Sequence, residues 1–502
     1  MGHMEIRLEQ IDPDALRVVQ RLRRYQHKAY LVGGCVRDLL LGRKPKDFDV
    51  ATSATPNEIR RCFRNCRIIG RRFRLAHVFF GRKIIETATF RANPRAPEDE
   101  NGEASPDDKA PSDLLIRRDN VFGTEEEDAR RRDFTINGLF FDVDTAQVID
   151  HVGGIPDLEA RLVRTIGDPD IRLREDPVRI LRAVKFAARC DLTIEAETYQ
   201  RMMEHKAELA KCAQARVTEE FYRLLRAGAA RRSFELLVET GLLEFLLPEL
   251  ATAWRNDDGG PELKTRVERF WAYLRALDES IVARGAPPSD AMILATLLLP
   301  PLRDVLAPDA QPGQNIAQIV ALSVQPILER LKASRRDSEL CRQILVALRY
   351  LLPGSRPPRH HHRLASRPFY EDTAWLAAIV ARAEGRESPV AADVTSENRE
   401  VSSSEDELPP ELLVDVDGPP GRDRRDRRGR RGQGERPETP VPAATASPTA
   451  ANAYVGDGPT EWQAGPLVRT PIPDLAALVP PLPARPAFLG LGAFGGRWAA
   501  RE

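Results

Sequence analysis

The apolar run Ala29-Tyr30-Leu31-Val32 ends in Gly33-Gly34, and Arg37 follows within a helix-compatible segment. Glycine tolerates positive φ and lets backbone approach a ligand closely. The free N–H groups of a helix that starts there favour an anion such as phosphate. Asp47-Phe48-Asp49 comes next. On a strand, residues two apart share a face, so both carboxylates would converge while Phe48 turns to the core. Paired carboxylates beside a phosphate cradle suit Mg²⁺-dependent phosphoryl or nucleotidyl transfer. Each feature alone reads equally well as a hairpin turn with surface aspartates. Their order and spacing together favour a site.

Such residues need strands and turns to hold them. Residues 5–27 are charged, with Leu16, Val19 and Leu22 spaced to seat a helix on the next domain. Thr55-Pro56-Asn57-Glu58 opens a helix to about Phe63, with threonine as cap and proline first. β-like runs follow at Arg67–Gly70, His77–Phe80 and Lys83–Phe90; Glu86 on the last is a third acid for the aspartates or an ordinary surface acid. Residues 93–118 predict a flexible acidic loop. A helix through Glu125–Ala129 leads into Arg131-Arg132-Asp133, where Asp133, taken alone, pairs with its arginine neighbours. Asn137, one helical turn on, has an amide suited to backbone or ribose. Gly138–Val143 and Val148–Val152 predict a hairpin that completes a small sheet, with His151 structural and Gly153-Gly154 turning the chain out.

From Pro156 the pattern is helical. Asp176-Pro177 opens a helix whose stripe is Val178, Leu181, Val184 and Ala188. Asp176 and Arg179 read as a cap and ion pair, or as a carboxylate and guanidinium able to meet the edge of a base. Helical blocks continue at about 195–210, 215–227, 231–241, 264–284, 289–302, 314–332, 336–352 and 370–384. His360-His361-His362 lies in a basic link that suits RNA better than a metal. Residues 387–502 predict a disordered tail. Its run Arg424, Arg425, Arg427, Arg428, Arg430 and Arg431 suits RNA phosphates.

The Ala29–Val50 segment resembles the motif of the polymerase-β-like nucleotidyltransferases, in the class II branch of CCA-adding enzymes and bacterial poly(A) polymerases. Arg71-Arg72-Phe73-Arg74-Leu75-Ala76-His77-Val78, Arg131–Asn137 and Arg174–Ala183 are similar to further family motifs, the first pointing to the poly(A) polymerase branch. The resemblance covers about residues 28–245. It implies an α+β fold: a small mixed or antiparallel-sheet nucleotidyltransferase head (28–153) after an N-terminal helical segment (1–27, beginning with what reads as a cloning scar). An all-α neck (154–245) for base recognition and RNA binding, an all-α RNA-binding body (246–386) and the tail would follow. It implies AMP transfer from ATP to an RNA 3′ end by two Mg²⁺ ions, with Mn²⁺ as substitute, in RNA 3′-end processing and turnover. Asp47 and Asp49 would hold the metals, with Asp133, or its rival Glu86, as third acid. Gly33, Gly34, Arg37 and Arg132 would meet the triphosphate, and Asn137, Asp176, Arg179 and Arg182 the nucleoside. A CCA-adding enzyme using CTP and ATP is the nearest alternative, and a non-catalytic RNA-binding protein on the same fold the second.

Lys plus Arg and Asp plus Glu each total 75 in 502 residues, so net charge selects no partner. Six scattered cysteines form no C-x-x-C pair, which argues against a zinc ribbon or a disulfide framework. The absence of a His-Asp dipeptide argues against an appended phosphohydrolase. No apolar run reaches about 18 residues, so the expectation is a cytoplasmic enzyme. A monomer is expected, with RNA-degradation machinery or an RNA chaperone as further partners.

Overall fold

The computed structural model describes residues 5–70, 74–92, 121–253, 261–307, 315–352 and 364–386. The Arg71-Arg72-Phe73 stretch, the acidic loop, His360–His362 and the arginine-rich tail lie outside them.

Asp12 accepts hydrogen bonds from the N–H groups of Asp14 and Ala15, and α1 (Pro13–Arg24) starts there with proline at its first position. Ala15, Val18, Val19 and Leu22 are buried while Leu16 is half-buried, so the seat is turned slightly from the expected stripe. Next come β1 (Ala29–Val32), α2 (Gly34–Leu40), β2 (Asp49–Thr52) and α3 (Pro56–Cys62). Thr55 and Glu58 close a reciprocal capping box at the start of α3. Strands β3 (Cys66–Ile69), β4 (Leu75–Phe80) and β5 (Lys83–Thr89) follow. After α4 (Glu125–Arg130), β6 (Leu139–Asp142) and β7 (Gln147–Asp150) form the expected hairpin.

The seven strands lie in the order β3-β4-β5-β2-β1-β6-β7. Only β2 and β5 are parallel; the crossover through α3, β3 and β4 supplies the length such a pair needs. Tyr30, Phe90 and Phe140 form the aromatic centre of the core over this sheet, with Val32, Ala51 and Ala129 packed around them. His151 sits edge-on to Phe140, in keeping with a structural role.

Gly154 begins α5 (Gly154–Glu159) because nothing larger fits: a Cβ there would stand 2.3 Å from the carbonyl oxygen of Thr135. A two-stranded parallel ladder, β8 (Leu162–Val163) with β9 (Thr193–Ile194), brackets α6 (Pro169–Glu175) and α7 (Val178–Cys190). Asp176 ends α6 and its side chain caps neither helix; Pro177 precedes the first residue of α7. The stripe Val178, Leu181, Val184 and Ala188 is buried as expected.

The rest of the described chain is helical: α8 (Ala196–His205), α9 (Gln214–Arg226), α10 (Ala230–Glu239), α11 (Leu242–Leu246), α12 (Pro248–Ala253), α13 (Pro261–Arg284), α14 (Asp290–Leu302), α15 (Ile316–Arg330), α16 (Arg335–Leu348) and α17 (Tyr370–Ala383). The short α11 and α12 are the ones the sequence pattern did not announce. Helix α14 is apolar on nearly every side and is accordingly enclosed by α9, α13, α16 and α17. All six cysteines are unbridged. Among the described residues no helix is long and apolar enough to cross a membrane.

Candidate active site

Gly33 ends β1 with φ +76° and ψ −122°, a backbone region that a residue with a Cβ avoids. Its N–H donates to the Leu139 carbonyl, 3.0 Å away, which ties the turn to β6. A Cβ at Gly33 would lie 3.1 Å from Nη1 of Arg132, so that guanidinium stands directly beside the turn.

Sheet register places the acids. Val32, the residue before Gly33, is paired with Asp49, the first residue of β2. On its other side β2 runs parallel to β5 with Val50 opposite Thr87, which puts Asp49 next to Glu86. Glu86 in turn faces His77 across β4, with 3.8 Å between Nε2 and Oε1. One row across the sheet therefore reads His77, Glu86, Asp49 and then the glycine turn. Asp47 lies just before β2 rather than on it, which corrects the expectation that one strand carries both aspartates. Phe48 is only half-buried.

The charges in this row are poorly balanced. Crowding by surrounding protein, then the negative charges of Glu86 and Asp47, push the Asp49 carboxyl up to about 6 against the pull of Arg132. Asp49 is nonetheless exposed at the surface, so the like charges of its neighbours are the firmer of these causes. Oxygen donors that repel one another and remain open to solvent are the donor set a hard divalent cation takes.

Asp133 is held differently. Its Oδ2 accepts from Nε and Nη2 of Arg182 at 2.7 and 2.6 Å, and its Oδ1 from Asn137 Nδ2 at 3.0 Å and the Phe134 N–H at 2.8 Å. Burial alone would raise its pKa, but the Arg182 charge and these hydrogen bonds hold it well below the usual carboxylate range. Both oxygens are thus committed inside the protein, and the partner is Arg182 of α7 rather than Arg131 or Arg132. Asn137 is likewise committed: its Oδ1 accepts from Nη1 of Arg37 at 2.5 Å. Arg37 is buried and spends its remaining donors on Asp38 at 2.6 and 2.9 Å, so it braces the glycine turn from within. Arg132, beside the turn, stays partly exposed; its Nε and Nη2 donate to Asp128 Oδ2.

The base-reading candidates divide as well. Asp176 accepts from Arg216 Nη2 at 2.8 Å through Oδ2, while its Oδ1 is buried without a partner. Such an orphan acceptor is costly unless something donates to it. Arg179 is buried, with Nη1 on the Arg172 carbonyl and Glu175. Arg182 is drawn toward Asp133 and Glu220. Arg216 is the partner that sequence reasoning missed, since nothing local links it to Asp176.

Two other features are separate from this row. Asp170, Glu204 and His205 bring three potential ligand atoms within 4.8 Å of one another. Their charges are met by His205 itself, Arg174 and Arg201, so they form an ion cluster joining α6 to α8. A cleft of about 650 Å³, bordered by His151, Arg164, Gly167, Asp168, Arg172 and Glu195, includes none of Gly33, Asp49 or Glu86.

Comparison with known proteins identifies the family. Residues 29–164 match the family model described as the poly A polymerase head domain. Residues 191–253 match one described as a probable RNA and SrmB-binding site of polymerase A. The chain is 40% identical to poly(A) polymerase I of Salmonella typhi over 340 residues, 68% of this chain and 69% of that protein. It is 39% identical to poly(A) polymerase I of Haemophilus influenzae over 383 residues, 75% of this chain and 82% of that one. A CCA-adding enzyme of Bacillus velezensis is more distant, at 33% identity over 48% of this chain and 57% of that protein. The fold matches the crystal structure of a Bacillus stearothermophilus CCA-adding enzyme in complex with CTP, with TM-score 0.50 at 24% identity over 74% and 78% of the two chains. The chain accordingly belongs to the poly(A) polymerase family of nucleotidyltransferases and is a polynucleotide adenylyltransferase.

Proposed function

We propose that Asp49 and Glu86 of this row, with Asp47 just before β2, form beside the Gly33-Gly34 turn the catalytic centre for template-independent addition of AMP from ATP to RNA 3′ ends. The observation that carries this is the strand register, which sets Asp49 beside Glu86 and opposite the last residue of β1, next to the glycine turn. Glu86 takes the place expected of Asp133, because both oxygens of Asp133 are already hydrogen-bonded. Asp47, Asp49 and Glu86 would hold Mg²⁺ or Mn²⁺. Bound there, such an ion lowers the pKa of the primer hydroxyl and neutralises charge on the triphosphate.

The chain's own groups do the rest. Gly33 and Gly34 leave room for the β- and γ-phosphates, and Arg132 supplies positive charge beside them. The 3′-oxygen of the primer bonds to the α-phosphorus of ATP as the bond to the β-phosphate oxygen breaks, and pyrophosphate leaves. The orphan Oδ1 of Asp176 suits the exocyclic amine of adenine. Arg179 would give up Glu175 to donate to a ring nitrogen. Residues 154–386 serve RNA binding, which the match over residues 191–253 supports, together with a protein partner of the SrmB kind. The arginines between Arg424 and Arg431 add phosphate contacts. The setting is cytoplasmic RNA 3′-end processing and turnover.

Each nucleotide supplied singly, with an unstructured RNA and with a tRNA lacking its 3′ end, tests the substrate. Long AMP addition to the unstructured RNA is expected. Addition of C, C and A to the tRNA, and then arrest, would instead make this a CCA-adding enzyme.

The acids separate by what their loss does. Asp49→Asn and Glu86→Gln should each lower AMP incorporation by roughly a hundredfold or more with little loss of melting temperature. Asp133→Asn should cost about 3 kcal/mol of stability, because it leaves Arg182 facing a neutral partner. A stable Asp133→Asn with no activity, beside a fully active Glu86→Gln, would return the third acid to Asp133.

The pH dependence has a definite sign. A carboxyl raised to about 6 contributes its full stability below its ordinary value of 3.8 and loses it as pH rises through 6. A metal ion competes with that proton, so the Mg²⁺ concentration for half-maximal rate should climb about tenfold per pH unit below 6. A requirement unchanged between about pH 5 and 7 would contradict this.

A further inference from the structure

The Asp133–Arg182 pair is one link in a longer chain of charges. Asp38 of α2 accepts from Arg37 and, at 2.8 Å, from Arg189 Nη2 of α7. Arg37 passes through Asn137 to Asp133, and Asp133 to Arg182. Arg182 Nη1 then reaches Glu220 of α9 at 3.5 Å. Glu220 also accepts from Lys185 Nζ at 2.7 Å and Arg223 Nη1 at 2.9 Å. On α7 the participating residues are Arg182, Lys185, Phe186 and Arg189, a spacing that puts them on one face. Phe186 sits among the cations: Arg37 and Arg182 carry their guanidinium carbons 4.9 and 5.6 Å from its ring centre, and Lys185 Nζ lies at 4.7 Å.

The arrangement joins two ends of the site. Helix α2 follows the glycine turn, while α7 begins beside Asp176 and carries Arg179. Glu220 is the buried acid that offsets Arg182, Lys185 and Arg223 at once. Buried ion networks add little stability over apolar side chains of the same shape, but they permit few alternative geometries. Here the geometry being fixed is the distance and angle between the phosphate end and the base end.

We propose that Glu220 is a positioning residue for nucleotide selection: through Arg182 and Lys185 it holds α7, and with it Asp176 and Arg179, in register with the glycine turn. Arg189 on Asp38 is the second anchor of the same helix. The inference rests on the reading that the start of α7 meets the base.

The full chain carrying Glu220→Gln is compared with wild type, with Arg189→Gln, and with Glu219→Gln, which removes a half-exposed acid of α9 paired to Arg223 and Arg226. Incorporation from ATP and from CTP gives the discrimination ratio, and amide hydrogen exchange without nucleotide gives the mobility of residues 34–40 and 178–190. Glu220→Gln should cut the ATP-to-CTP ratio of kcat/KM about tenfold, mostly in kcat for ATP, and speed exchange in both segments together. Arg189→Gln, at a side chain one third exposed, should do the same more weakly and serves if Glu220→Gln fails to fold. Glu219→Gln should match wild type. An unchanged ratio in both variants, even with a lower melting temperature, would reduce the network to a structural one and overturn the proposal. No incorporation by the wild type would instead sink the functional reading; coupled exchange in α2 and α7 would still decide whether Glu220 links them.

Discussion

Like charges do not gather on a protein surface without something to hold them, and here the backbone does it. Asp49 opens β2, a strand held between β1 and β5 by ladder hydrogen bonds that are indifferent to side-chain repulsion, and the same register sets Glu86 beside it. Carboxylates crowded in this way, with Asp47 alongside, raise the Asp49 pKa. That repulsion is a cost to the fold that a divalent cation bound there would relieve, which is the physical basis of the proposed metal site. The parallel β2–β5 pair is what makes the row possible, and α3 with β3 and β4 supplies the crossover that such a pair requires.

The opposite condition holds one layer away. Asp133, Asp38 and Glu220 are buried and fully partnered, and their cations come largely from α7 and α9. A buried acid whose oxygens are taken up by internal donors is unsuited to exchanging ligands during turnover. Under the proposed function the two kinds of carboxylate divide the work: open, repelling acids for chemistry, and closed, neutralised acids that set the angle between sheet and helices. Arg37 and Asn137 belong to the second group, although their place in the sequence motif suggests the first.

What could be read in advance was whatever is decided locally. The glycine turn, the Thr55–Glu58 capping box, the β6–β7 hairpin and most of the helical blocks follow from propensity, caps and periodicity over a few residues. The family resemblance supplied the class of chemistry. What could not be read was pairing between distant residues: Asp133 meets Arg182 from 49 positions away, and Asp38 meets Arg189 from 151. The i, i+4 pair of Asp128 with Arg132 was legible in principle and shows the limit of local reasoning from the other side. Glu86 was visible as a candidate, but neither its place beside Asp49, set by the register of β2 against β5, nor the hydrogen bonds that occupy both oxygens of Asp133 could be read locally.

The central claim is that the acids beside the glycine turn take a divalent cation. Crystals soaked with Mn²⁺ and a non-hydrolysable ATP analogue, measured for anomalous scattering, address it directly. The account predicts a peak in contact with Asp49 and Glu86, with the triphosphate lying against Gly33 and Gly34. A peak at Asp133, or at Asp170, Glu204 and His205 with the sheet acids unbound, would contradict it.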